Sequence, residues 1–169
     1  MIGVISIIIF LLIILIFILY IIKKEYTVTR NRKEQIKMSF KEAMDLVGLP
    51  VITFCNRNVK LNFLLDTGSD KSYINKSFLS FLEYSNIHKV TKNIISAGGN
   101  KLAKECCELL VTYKNQKFTD IFYIYDLDEP FTQIKKETGV QIHGILGNGF
   151  FEKYKYILDF ESLIAYSKK

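Results

Sequence analysis

The run Phe63-Leu64-Leu65-Asp66-Thr67-Gly68-Ser69-Asp70 constrains this chain more than any other, because an apolar strand ends directly in an acidic turn. A carboxylate at the end of a buried strand needs amide donors close by, and Gly68 has no side chain to hold backbone away from Asp66. Thr67 brings a hydroxyl that can tie the turn to backbone or to a neighbouring copy. Ser69 brings a second hydroxyl that can donate to the carboxylate. The same four residue types are ordinary turn chemistry, so the surroundings decide what the turn is for. Upstream, Val51-Ile52-Thr53-Phe54-Cys55 and Val59-Lys60-Leu61-Asn62-Phe63-Leu64-Leu65 are β-type runs around Asn56-Arg57-Asn58, which predicts a hairpin leading into the turn. Residues 109–113 and 118–125 flank Lys114-Asn115-Gln116-Lys117 and predict another.

Downstream, Val140-Gln141-Ile142-His143-Gly144-Ile145-Leu146-Gly147 reads as an apolar strand ending in an Ile-Leu-Gly turn. Between the two turns, Ile95-Ser96-Ala97-Gly98-Gly99-Asn100 looks like the tip of a glycine-containing hairpin. In this order the three features resemble the retropepsin-like aspartic peptidases, from about Val51 to the C-terminus. The resemblance implies a mainly β fold, a small closed acid-protease barrel with one or two short helices. It implies a catalytic turn formed by Asp66, Thr67, Gly68 and Ser69, a flap with Ala97, Gly98 and Gly99 at its tip, and a ψ-shaped element, Ile145, Leu146 and Gly147, behind the turn and beside the substrate. A short helical stretch at 150–154 and a final hairpin, 156–160 and 163–166 around Glu161-Ser162, complete the pattern. The chain departs from it where Asn148 follows Gly147, since many retroviral enzymes carry there an Arg that helps lock the dimer. It departs again at Asp128 to Gly139, an insertion-like stretch with Asp128 as helix start, Pro130 in the first turn and a glycine stop, read as a surface helix.

The chemistry of that family uses two facing carboxylates, one ionised to take a proton from water and one protonated to polarise the substrate carbonyl. Only one Asp-Thr-Gly is present. Glu137-Thr138-Gly139 follows Lys135 and Lys136 instead of an apolar strand and is rejected as a second copy. The segment after residue 50 holds one domain's worth of chain, whereas a two-lobed enzyme needs roughly twice that. The expectation is therefore a homodimer, each subunit giving one Asp66. It would act as an aspartic endopeptidase on extended polypeptide with apolar side chains near the cut, without a cofactor. The alternative from another class is a retropepsin-like domain kept as a dimerisation or peptide-binding module with weak or no hydrolysis.

The N-terminus carries a separate signal. Ile2 to Ile22 is almost unbroken Ile, Leu and Phe, the length that crosses a bilayer. No basic residue precedes it and no small-x-small cleavage site follows, so it reads as a single transmembrane helix in membrane lipid instead of a signal peptide. Lys23, Lys24, Arg30, Arg32, Lys33 and Lys37 outweigh Glu25 and Glu34 in the flank, which places the peptidase domain on the cytoplasmic side. The expected organisation is an anchor at 1–22, a basic juxtamembrane linker at 23–50 and the peptidase domain at 51–169. Within the linker, Ser39 and Glu42 have capping-box spacing and Ile36, Phe40, Met44 and Val47 recur at helical intervals, with Gly48 and Pro50 as the stop.

The net charge of +6 mostly reflects the juxtamembrane patch, which suits anionic lipid head groups. No RNA- or DNA-reading motif accompanies it, so no nucleic-acid partner is expected. His88 and His143 are the only histidines and lie at no metal-ligand spacing; His143 is read as a strand-end residue with a satisfied hydrogen bond. Cys55, Cys106 and Cys107 form no disulfide framework and are expected as reduced thiols in or near the core.

Overall fold

The computed structural model describes residues 14–22, 38–96 and 99–167. The chain divides into two compact units, Met1–Gln35 and Ile36–Lys169. In the first, residues 14–22 form a helix, α1, whose side chains are all exposed. Among the described residues no helix is long and apolar enough to cross a membrane. Residues 2–13 of the expected span, and the basic flank at 23–37, lie outside the described residues.

The second unit opens with helix α2, Phe40–Val47, which begins as its sequence dictates. The Ser39 side chain accepts the Glu42 amide and the Glu42 carboxylate accepts the Ser39 amide at 2.7 Å, so two of the orphan first-turn donors are satisfied reciprocally. Gly48, at φ 65°, ends it. Met38, Phe40 and Ala43 are buried, and α2 packs on strand β1 (Val51–Asn56). The helix assigned on the sequence to the linker thus belongs by its packing to the barrel unit.

Seven further strands build the main sheet or its partner ribbon. They are β2 (Val59–Leu65), β3 (Ser72–Asn75), β4 (Tyr84–Ser96), β5 (Gly99–Tyr113), β6 (Gln116–Tyr125), β7 (Gly144–Leu146) and β8 (Tyr156–Asp159). A ninth, β9 (Ile164–Ser167), pairs with β8 alone. The main sheet runs β1-β2-β7-β3-β6-β5-β4, and a β1–β5 pairing at Cys55 and Thr112 closes six of its strands into a barrel with β4 outside the ring. Closure removes the open edges that a flat six-stranded sheet would expose.

The β5–β6 connection is the two-residue Lys114-Asn115, both residues at positive φ, the type I′ geometry that matches strand twist. Helix α3 (Asp128–Thr138) fills the predicted insertion and stops at Gly139, φ 76°. It begins at Asp128, as expected, with Leu127 at the cap position. Asp128 does not cap the helix; its carboxylate accepts from Ser77 Oγ in the 3₁₀ turn Lys76–Phe81 at 2.5 Å and from Asn75 Nδ2 at the end of β3 at 2.8 Å, which holds its acid below the usual carboxylate range. Helix α4 (Asn148–Tyr154) starts two residues before the predicted stretch. The final hairpin turns through residues 160–163, with Asp159 Oδ1 accepting the amides of Glu161 and Ser162.

The barrel interior is aromatic. Phe54, Phe63, Phe118, Phe122 and Phe150 are essentially buried, and Phe54 meets Phe63, Phe118 and Phe150 edge-on at centroid distances of 5.9 to 6.1 Å. A second cluster of Met38, Ala43, Val51, Phe131, Val140 and Ile142 lies under α2 and α3. Cys106 and Cys107 are free and buried, Cys107 within the main core, where burial pushes its thiol up to about 12.

Candidate active site

The strand expected at 140–146 is paired only over β7, because residues 140–143 spend their polar groups on single bonds instead of a ladder. The His143 amide donates to Asn62 O and the Asn75 amide to His143 O, both at 2.9 Å. From there β7 runs parallel to β2, with Leu65 opposite Leu146, and antiparallel to β3, with Tyr73 opposite Ile145. Three backbones therefore cross in one layer directly under the end of β2. Only glycine fits at two points of the crossing. A Cβ on Gly144 would lie 2.4 Å from Tyr73 O, and one on Gly147 would lie 2.3 Å from Lys71 O and 2.8 Å from Ser69 O.

Asp66 sits at this crossing. Its amide donates to Leu146 O at 2.9 Å, so the residue that follows β2 is fastened to β7, and its carbonyl accepts the Ser69 amide at 3.2 Å. The Gly68 amide donates to Asp66 Oδ1 at 2.9 Å, the close approach anticipated from a residue without a side chain. Asp66 is half-buried, whereas Thr67 and Gly68 are exposed. The carboxylate thus stands on a floor of three paired backbones, β2, β7 and β3.

Two side-chain roles differ from those expected. The Ser69 hydroxyl donates to Lys71 O at 2.9 Å, not to Asp66, since the turn carries it outward along the chain. Leu146 is fully buried in the main core, so it supports the turn from below and does not line a substrate groove. Ile145 is half-buried and packs against the second apolar cluster, and Gly147 is buried beneath the turn. Strands β4 and β5 form the expected long hairpin, closing with Ser96 opposite Gly99. Ala97 and Gly98 at its tip lie outside the described residues.

Residues outside the expected site complete the turn. Asn148 donates its side-chain amide to Thr67 O at 2.7 Å and its backbone amide to Ser69 O at 2.8 Å. Ser72 Oγ donates to Asp120 Oδ2 at 3.0 Å and accepts the Gly147 amide at 3.4 Å. Tyr73, nearly buried on β3, has its phenol raised above the usual range by burial and by the neighbouring Asp70. The spacing of Asn148 one residue past Gly147 was the available signal, though its partner is not readable from spacing. Among the described residues no group of His, Cys, Asp and Glu is placed to hold a metal ion.

A six-stranded barrel with one carboxylate-bearing turn braced by a parallel β7 defines the single-lobed, retropepsin-like class of aspartic protease. The family comparison agrees. A model described as aspartyl protease matches residues 52–150, more than half of the chain, and the chain belongs to that family. Among solved structures, EIAV protease complexed with the inhibitor HBY-793 shares the fold, with a TM-score of 0.51 and 18% identity over 66% of this chain and 93% of that one. No curated protein matches the sequence.

Proposed function

We propose that the chain is a membrane-anchored, homodimeric aspartic endopeptidase that hydrolyses extended polypeptide. One observation carries the reading: a half-buried Asp66 whose Oδ1 is held by the Gly68 amide on a buried strand crossing. One such turn supplies half of an acid pair, and a second copy related by a two-fold axis supplies the other half. Membership of the aspartyl protease family supports the activity, and the barrel shared with a viral protease supports the geometry.

In the dimer, the ionised Asp66 takes a proton from the water between the two carboxylates as the water oxygen bonds to the scissile carbonyl carbon. The protonated Asp66 donates to the carbonyl oxygen, giving a tetrahedral diol. Transfer of a proton to the amide nitrogen then lets the C–N bond break. The hairpin tip at Ala97, Gly98 and Gly99 closes over the peptide and excludes water. The apolar run at 2–22, whose side chains at 14–22 are all exposed, is read as the bilayer anchor, with the basic flank setting the peptidase unit on the cytoplasmic side.

The test uses the full-length chain in detergent against a peptide library, with Asp66→Asn alongside. The parent is expected to turn over and the nearly isosteric variant to fold without turnover. Cleavage by Asp66→Asn ends the acid-pair reading. Activity per chain that stays constant down to concentrations where sedimentation finds monomer alone ends the dimer. In sealed cells, an impermeant thiol reagent should reach Cys55 only after the membrane is opened, and labelling from outside reverses the topology.

A further inference from the structure

The carboxylate of Asp66 is held by an amide that is itself held from behind. Thr67 C=O and Gly68 N–H belong to one peptide group, and a peptide group is planar, with its C=O and N–H pointing in opposite directions. Asn148 Nδ2 donates to the C=O end at 2.7 Å, and the N–H end donates to Asp66 Oδ1 at 2.9 Å. The Asn148 amide must present its NH₂ to this carbonyl, because its own oxygen has nothing to donate. An amide that accepts at its carbonyl is polarised into a stronger N–H donor. Fixing one end of the plane also fixes the tilt of the other.

Asn148 is well placed for this. It is the first residue of α4, its backbone amide holds Ser69 O at 2.8 Å, and the next amide, Gly149, reaches Asp70 O at 3.3 Å. Gly147 before it has backbone oxygens within 3 Å of where a Cβ would sit, so the residue leading into α4 is packed closely against the chain at Ser69 and Lys71. We propose that Asn148 is the positioning residue of the acid turn, acting through the Thr67–Gly68 peptide within its own chain and not across the dimer. The assignment rests on the aspartic peptidase reading and adds to it the relay Asn148 to peptide to Asp66.

The experiment compares full-length parent, Asn148→Leu and Asn148→Asp in detergent, at concentrations where the dimer is saturated. Asn148→Leu removes the donor at similar volume and should lower kcat by about fivefold to tenfold, with KM within about twofold, the range for loss of one neutral hydrogen bond. Asn148→Asp should lose more at pH 7, where the introduced carboxylate faces the Thr67 carbonyl. Its activity relative to the parent should climb toward pH 4, as a protonated carboxyl regains a donor. A raised dimer dissociation constant with unchanged kcat at saturation would instead make Asn148 an interface residue and overturn the relay.

Amide hydrogen exchange reads the relay without reference to turnover. The Gly68 amide should exchange faster in Asn148→Leu by a similar factor, while the Leu65 amide, bonded to Pro50 O at 2.8 Å, stays unchanged. Unaltered Gly68 exchange refutes the relay whatever the activity. Absence of turnover in the parent refutes the peptidase reading and leaves the exchange result to decide Asn148.

Discussion

Acid should loosen this barrel through His143, and the size of the effect follows from where the ring sits. His143 is fully buried, immediately before β7, with its ring 4.5 Å from that of Phe78. The Asn62 amide donates to Nδ1 at 3.0 Å, so that nitrogen is an acceptor and the ring is neutral. Burial, with the positive charge of Lys135 acting in the same direction, pulls the imidazole from its ordinary 6.5 down to about 4. The unfolded chain takes up a proton near 6.5 and the native chain does not until about 4. Stability from the neutral ring is therefore complete above pH 6.5 and is lost as the pH falls from there to 4. Each unit of the gap is worth about 1.4 kcal/mol, so the loss totals about 3 kcal/mol, most of it present by pH 5. His143→Asn keeps a carbonyl acceptor for the Asn62 amide and has nothing to ionise. It should cost about 1 to 2 kcal/mol at pH 7 through lost packing, and that deficit should shrink and reverse as the pH falls. Urea unfolding of both chains at pH 7, 6 and 5 measures the difference, in which the carboxylates common to both cancel. Parallel curves across that range would refute the assignment of a buried neutral ring.

Two further substitutions test the crossing and the core. Gly147→Ala puts a methyl 2.3 Å from Lys71 O and should cost about 3 kcal/mol or more and abolish turnover, whereas Gly149→Ala, whose nearest backbone oxygen is Asp70 O at 3.4 Å, should cost about 1 kcal/mol or less in the same thermal melts. Among the described residues the buried Tyr156 hydroxyl has no hydrogen-bond partner, and burial raises its phenol above the usual range. Tyr156→Phe should therefore hold or raise stability, by about 1 kcal/mol at most, and a loss of that size would mean the hydroxyl has a partner.

The sequence by itself determined what acts over a few residues. The Ser39–Glu42 capping box, the helix stops at Gly48 and Gly139 and the hairpin around Lys114-Asn115 are short-range steric and hydrogen-bonding preferences, and each stands where the sequence predicts it. The approach of the Gly68 amide to Asp66 is equally local, two residues along the chain. What only the tertiary structure decided is which distant group each polar side chain meets. The Ser69 hydroxyl was expected on the Asp66 carboxylate, and the folded turn gives it Lys71 O instead. Leu146 reads as an apolar residue beside a turn, yet barrel closure puts it in the core. Asn148 meets Thr67 across 81 residues of sequence only because β7 threads between β2 and β3 and sets the start of α4 beneath the acid turn. Periodicity and turn chemistry carry no information about such a crossing, because its geometry exists only once three separate strands share one sheet.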